Sequence, residues 1–329
     1  MLGKRLGLDL GAGSLRVVVR GESQVLTEPS LVARQIQRRY SAAGTAAAEL
    51  SGDPEMEMIR PIRGGAVADG DALNSLLQRA VNRVAGKQRI FRPDVVIAIC
   101  PAMSSADRLA VLDICARLGT RTAYLIDTPL AAAMGAGFNL SGARAHLVVD
   151  AGAGSVEVSC LASEGTVASQ TLTRAGDALR AAVIRRLEQT RGLAVSPGAA
   201  EEVISSLACV GPHEERRMPV AATLTRDDEA VSVASTEIAD LVDEHARRIA
   251  QGVRAVIEEA PPMLRRDMLE EGITLCGGGS RLEGLDRYLG VQTGCAARLA
   301  PDPQTCVIRG TQIAVENLDV LRRSFVYIR

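Results

Sequence analysis

The sequence predicts an α/β protein built from two internally duplicated α/β domains facing each other, each with a smaller outer subdomain. Three observations lead there. The chain has 329 residues, which at a soft scale of about 150 per domain makes two domains. Near-continuous apolar runs alternate with amphipathic stretches in a β-α-β rhythm, the pattern of parallel strands covered by helices. One unit also occurs twice, as strand, acid, Gly-x-Gly and strand, over residues 6–19 and again over 147–158. A repeat at so long a range is a duplicated domain rather than a solenoid period.

The opening unit joins β-rich segments at 6–10 and 15–20 through Gly11-Ala12-Gly13-Ser14, a hairpin signal with Asp9 beside it. More β pattern covers 24–36, and 37–57, of weak periodicity, reads as a small outer lobe. From Asp69 an amphipathic helix (Leu73, Leu76, Leu77, Ala80, Val81, Val84) runs to Gly86, with Asp69 and Asp71 suited to its positive N-terminal end. After Pro93, 95–99 reads as a buried strand, 106–118 as a helix and 122–126 as a second buried strand. Pro129 opens a helix reaching Gly137.

The second copy leads into a strand at 166–172. Residues 176–191 and 197–207 read as helices, and 218–225 with 230–233 as a hairpin around Arg226-Asp227-Asp228. A long amphipathic helix at 236–259 stops at Pro261-Pro262. A strand at 273–276, the triplet Gly277-Gly278-Gly279, a helix at 282–289 and a closing helix from about 305 to 321 complete the chain.

Composition excludes several classes. With 47% hydrophobic and 23% charged residues the chain is globular rather than disordered, and a net charge of −1 removes the electrostatic basis for nucleic-acid binding. Seven scattered cysteines without C-x-x-C spacing, beside three histidines, give neither a zinc site nor a disulfide framework. They read as small buried hydrophobes in a reducing cytosol. The N-terminus passes straight into a strand with no signal-peptide pattern, and no window reaches the ~20 apolar residues of a membrane span. A cytoplasmic protein is expected, with any membrane contact peripheral.

The chemistry concentrates in three glycine clusters. The turns after Asp9 (Gly11, Gly13, Ser14) and Asp150 (Gly152, Gly154, Ser155) let backbone N–H groups approach phosphate oxygens, and a carboxylate beside each can hold the water shell of Mg²⁺. Either turn alone also reads as a plain hairpin; the matched pair points to a nucleoside triphosphate held in a cleft between the domains. Gly277, Gly278 and Gly279, after a buried strand and before Ser280, suit close approach of a ligand or a tight strand-to-helix turn. There is no G-x-x-x-x-G-K-[ST] phosphate loop.

In this order, two phosphate turns and a later glycine-rich turn, the chain resembles the actin, sugar-kinase and DnaK-type ATPase superfamily, and its local strings look like the MreB bacterial actins. Those strings are Leu26-Thr27-Glu28-Pro29-Ser30-Leu31-Val32-Ala33, Arg60-Pro61-Ile62-Arg63-Gly64-Gly65-Ala66-Val67-Ala68-Asp69, Pro129-Leu130-Ala131-Ala132-Ala133-Met134-Gly135-Ala136-Gly137 and Asp302-Pro303-Gln304-Thr305-Cys306-Val307-Ile308-Arg309-Gly310. The likeness is weakest at 37–57 and 208–232. It implies an actin-like fold with subdomain IA at 1–31, 68–141 and 310–329, IB at 32–67, IIA at 142–175 and 236–309, and IIB at 176–235. It also implies ATP and Mg²⁺ as cofactors, with Asp9 and Asp150 reaching the metal through water, and self-assembly into filaments that shape the cell wall. The implied partners are the inner face of the cell membrane or the membrane proteins of wall morphogenesis.

Departures from the family pattern bear on the chemistry. Leu15 and Val156 replace polar members of the phosphate turns. The family's water-orienting glutamate is Thr128, with Asp127 one position too early, and the nucleoside-clasping Lys and Glu align with Ile204 and Ser206. Weak ATP binding and very slow hydrolysis are therefore expected, since positioning carries phosphoryl transfer. The alternatives are a nucleotide-independent MreB-like scaffold, a small-molecule kinase of the same superfamily, and a DnaK-type ATPase, which the lack of a peptide-binding domain disfavours. Ile90-Phe91 between Arg89 and Arg92, and the tail 318–329, are the candidate membrane contacts, each also readable as ordinary packing. His146, His213 and His245 have no catalytic partners at helical or strand spacing in the sequence and receive no role.

Overall fold

A computed structural model describes residues 4–35, 40–86, 92–139, 144–162, 165–220, 231–318 and 326–328. They divide into two compact units, Met1–Gly142 with Gln304–Arg329, and Ala143–Pro303.

The first unit is built on a six-stranded sheet in the order Val326–Ile328, Thr122–Asp127, Asp94–Ile99, Arg5–Leu10, Ser14–Val19 and Val25–Pro29. Arg5–Leu10 runs parallel to Asp94–Ile99, which runs parallel to Thr122–Asp127. Asp94–Ile99 is buried along its whole length, as its near-continuous apolar run requires. Its one acid, Asp94, accepts from Arg121 Nε at 2.8 Å, so the buried charge is paired.

Helix Gly70–Ala85 starts where the sequence places it. Asp69 Oδ1 accepts from Ala72 N at 2.8 Å, and Leu73, Leu76, Leu77, Ala80 and Val81 form the buried stripe. Helix Ser105–Arg117 is capped by Ser104 in the same way, at 3.1 Å from Asp107 N. The outer segment holds a three-stranded sheet of Tyr40–Ala43, Val32–Gln35 and Met56–Ile59, with a short helix Thr45–Ala48.

Two helices lock this unit by meeting backbone to backbone. Helix Thr128–Gly135 lies against helix Cys306–Glu316, and a Cβ on Gly135 would fall inside the carbonyl oxygen of Cys306. A Cβ on Gly310 would do the same to the carbonyl of Ala131. The second helix also rests on the first strand, where a Cβ on Gly7 would sit 2.9 Å from Thr311 Oγ1. Two of the strings that carry the family resemblance, 129–137 and 302–310, are therefore the two sides of one glycine crossing.

The second unit holds a five-stranded sheet in the order Gly165–Leu172, Val156–Ala162, His146–Ala151, Ile273–Cys276 and Ala297–Leu299. Its acid-bearing strand has the same neighbours as that of the first unit: the next strand antiparallel and a later strand parallel. The registers coincide as well. Asp9 faces Arg16 and Leu10 faces Leu15, while Asp150 faces Glu157 and Ala151 faces Val156. The duplication holds residue by residue around the turns.

Several boundaries differ from those the sequence predicts. The long helix is Ala239–Glu259, preceded by a separate turn of 3₁₀ helix at Ser235–Glu237. Pro262 opens a further helix, Pro262–Glu271, rather than only ending the one before, because proline suits the first helical turn as well as it breaks an interior. The glycine triplet leads into a 3₁₀ turn, Gly278–Arg281, so the next helix starts late, at Leu285–Thr293. The closing helix is Cys306–Glu316, and residues 319–321 of its expected span lie outside the described residues. The strands Arg217–Val220 and Val231–Ala234 pair as expected, while the turn at Arg226-Asp227-Asp228, the Ile90-Phe91 pair and most of the tail after Leu318 lie outside the described residues.

All seven cysteines are buried and none forms a disulfide; burial pushes the Cys115 thiol up to about 12, far from a reactive thiolate. Gly310→Ala should destabilise the protein by about 2 kcal/mol or more, since backbone must move to admit the methyl, whereas exposed Glu316→Gln should stay within about 0.5 kcal/mol. Urea unfolding of both variants against wild type checks this, and equal midpoints would contradict the crossing.

Candidate functional site

The first glycine turn is held by its carbonyl groups. Gly11 N donates to Ser14 O at 3.2 Å and closes the hairpin. Ser30 Oγ donates to Gly11 O at 2.5 Å, Arg60 Nη1 to Ala12 O at 3.1 Å, and Ser30 N to Gly13 O at 3.1 Å. No peptide bond among the described residues is cis, so each tied carbonyl aims the following N–H the opposite way. The amides of Ala12, Gly13 and Ser14 are thus turned away from the protein groups that hold the loop, as donors to an anion require.

The second turn repeats the device with different partners. Gly152 N donates to Ser155 O at 2.9 Å. Here the carbonyls of Gly152 and Ala153 accept from Gly176 N at 3.3 Å and Asp177 N at 2.7 Å, the first amides of helix Gly176–Arg191. Those N-terminal donors are spent on the loop, and the amides of Ala153 and Gly154 turn the other way.

The third cluster lies against the second within the same unit. Gly277 has φ 81°, and a Cβ there would collide with Ala151 O and stand 2.6 Å from Asp150 Oδ1. A Cβ on Gly279 would stand 3.1 Å from Ala151 O. Only glycine fits where the triplet passes the acid. Ser280 Oγ donates to Gly277 O at 2.7 Å and fixes the turn.

The structure thus gathers Asp9, Gly11, Gly13 and Ser14 in the first unit, and Asp150, Gly152, Gly154, Ser155, Gly277, Gly278 and Gly279 in the second. Asp127 and Thr128 lie at the same C-terminal edge of the first sheet as Asp9, two strands away, or about 10 Å in backbone spacing. Asp127 ends its strand with its Oδ1 accepting from Arg108 Nη2 at 3.1 Å. Thr128 starts the next helix, and its buried Oγ1 has no hydrogen-bond partner among the described residues. Ile204 packs against the core of the second unit and Ser206 is exposed, so neither offers the charged clasp expected from the family.

Four charged or polar positions went unread in the sequence. Arg16 Nη1 donates to Asp9 Oδ2 at 3.0 Å, and both sit largely under cover. Burial raises the Asp9 carboxyl above its ordinary range, against the pull of Arg16. Glu157, opposite Asp150, is buried and accepts from Ser155 Oγ at 2.5 Å. Ser30 and Glu28 sit in the string 26–33. Ser30 clamps the first turn, while Glu28 accepts from Thr45 N and Thr45 Oγ1, both at 2.7 Å, and from Arg83 Nη1 at 2.5 Å. For Arg16, Glu28 and Glu157 the available signal was charge inside a strand.

Paired units, each with a strand, an acid, a glycine turn and a returning strand, define the actin-like fold class. The MreB/Mbl protein family matches residues 3–323, and the chain belongs to that family. It is 31% identical to the cell shape-determining protein MreB of Escherichia coli over 332 aligned residues, covering 97% of this chain and 95% of that one. Among solved structures, MreB 5 of Spiroplasma citri bound to AMPPNP aligns with a TM-score of 0.88 at 25% identity, covering 98% of this chain and 99% of that one. A MamK double helical filament aligns at 0.80 with 20% identity, covering 95% and 98%.

Burial alone would raise the Glu28 carboxyl, but the two Thr45 donors and Arg83 outweigh it and hold it below the ordinary 4.5. A lowered folded value means stability that is full above the ordinary value and fades as pH falls through the folded one. Glu28→Gln should therefore cost about 2 kcal/mol near neutral pH, with the gap to wild type closing in acid. Denaturant titrations at neutral pH and below pH ~4 check this, and a pH-independent gap would contradict it.

Proposed function

We propose that this chain is a filament-forming actin-like cytoskeletal protein acting in cell shape and cell-wall morphogenesis, and that it binds ATP weakly and hydrolyses it very slowly. Membership of the family and likeness to cell shape-determining relatives support the cytoskeletal part. The likeness to a double helical filament supports self-assembly, and head-to-tail contacts that do not close generate filaments. The reading includes action at the inner face of the cell membrane, with wall-morphogenesis membrane proteins as partners; no helix among the described residues is long and apolar enough to cross a membrane. The subdomain divisions expected from the family belong to the same proposal.

The observation that carries the nucleotide part is the pair of carbonyl-tied turns. Phosphate oxygens would be met by the amides of Ala12, Gly13 and Ser14, and by those of Ala153 and Gly154. The ribose and base would lie near Gly277, Gly278 and Gly279, where a Cβ on Gly277 would collide with the neighbouring backbone and one on Gly279 would crowd it. Among structures of this fold, one holds AMPPNP.

Residues at the two acids fit Mg²⁺ unequally. Asp150, facing a second carboxylate in Glu157, is compatible with a hydrated cation, which would neutralise polyphosphate charge. Asp9 is already held by Arg16. Hydrolysis needs a group that orients water, and Thr128 supplies only a hydroxyl while Asp127 is engaged by Arg108. These same two features favour, as the second reading, a nucleotide-independent scaffold.

Electron microscopy of purified protein with and without ATP tests the assembly: ATP should promote filaments. None in any condition would contradict the proposal, and filaments indifferent to ATP would favour the scaffold. Thr128→Glu should raise ATP turnover by about tenfold or more if the variant retains wild-type melting behaviour; unchanged turnover in a folded variant would contradict the role given to this position.

A further inference from the structure

We infer that the Arg16 guanidinium takes the place of a divalent cation at Asp9, so that the first glycine turn receives polyphosphate without metal. This rests on the reading of the turns as a nucleotide site. Asp9 and Arg16 lie directly opposite each other in the antiparallel register and bond at 3.0 Å. The Asp9 side chain is 8% exposed and the Arg16 side chain 21%, so the acid is the more sheltered partner and the arginine keeps part of its side chain at the surface.

A hydrated Mg²⁺ binds through its water shell and gives up that shell reluctantly, so it needs room at the carboxylate. At Asp9 the guanidinium already holds Oδ2. Displacing it would leave a buried pair broken, a costly change. Arg16 instead offers what the cation would offer. It is permanently charged and carries five N–H donors; one goes to Asp9, leaving others for a phosphate oxygen in the fork geometry that suits phosphate.

The duplication sharpens the point. At the matching register position of the second unit stands Glu157, opposite Asp150. One copy of the element therefore carries its own cation, and the other carries two carboxylates and no arginine in that register. A structural salt bridge alone would stabilise the hairpin but leave polyphosphate binding dependent on metal, and that difference is measurable.

The probes are ATP and inorganic tripolyphosphate, titrated into the full chain in excess Mg²⁺ and in EDTA, and read by calorimetry and thermal shift. Wild type should still bind in EDTA, with a loss relative to Mg²⁺ of less than about tenfold, under 1.4 kcal/mol, the share left to a cation at Asp150. Arg16→Leu should lose about tenfold or more of its affinity in EDTA and regain it in Mg²⁺. Because that variant leaves Asp9 buried alone, the double variant Asp9→Asn with Arg16→Leu is measured beside it and should show the same loss in EDTA. Wild type that binds only in Mg²⁺, or folded variants that bind as wild type in EDTA, would overturn the inference while leaving the nucleotide reading intact. No binding by wild type in either condition would overturn the nucleotide reading and this inference with it.

Discussion

The candidate site depends on a constraint as small as a peptide plane. Because the bond is planar and trans, tying a carbonyl to one side commits the next N–H to the other. In the first turn Ser30 and Arg60 tie three successive carbonyls, and in the second the opening amides of helix Gly176–Arg191 tie two. The ties differ chemically and reach the same outcome. A side chain and an arginine from the outer segment do in one unit what a helix N-terminus does in the other, which is how a duplicated element keeps its geometry after its surroundings have diverged.

From those ties the rest of the first unit can be followed outward. The same short string that supplies Ser30 supplies Glu28, whose bonds to Thr45 and Arg83 link the short helix Thr45–Ala48 of the outer segment to helix Gly70–Ala85. The strand that bears Asp9 is pressed by the closing helix at Gly7, and that helix meets its neighbour at Gly135 and Gly310. Packing of backbone on backbone leaves little freedom for adjustment. The phosphate-binding candidate thus sits on elements whose positions are over-determined, which is what a preorganised donor array requires.

Much of this was legible in the sequence, for identifiable reasons. The repeated acid and glycine spacing exposed the duplication, and Asp69 ahead of an apolar stripe marked a helix start. Arg16 was not legible because alternation in a strand reads a charged residue as outward and solvated; only the register shows it aimed at Asp9. Glu157 was hidden for the same reason. The glycines at 135 and 310 read only as members of two family strings, since a helix crossing joins residues far apart in the chain and has no local signature. Pro262 was read as a stop because proline breaks helices, though it starts them equally well.

The central claim is that the two glycine turns present a shared pattern of backbone donors to phosphate. Amide hydrogen exchange at Ala12, Gly13, Ser14, Ala153 and Gly154, with and without saturating ATP, tests it most directly. Slowed exchange at both turns on adding ATP is the predicted result. Exchange that is unchanged at these amides while ATP is bound would contradict it.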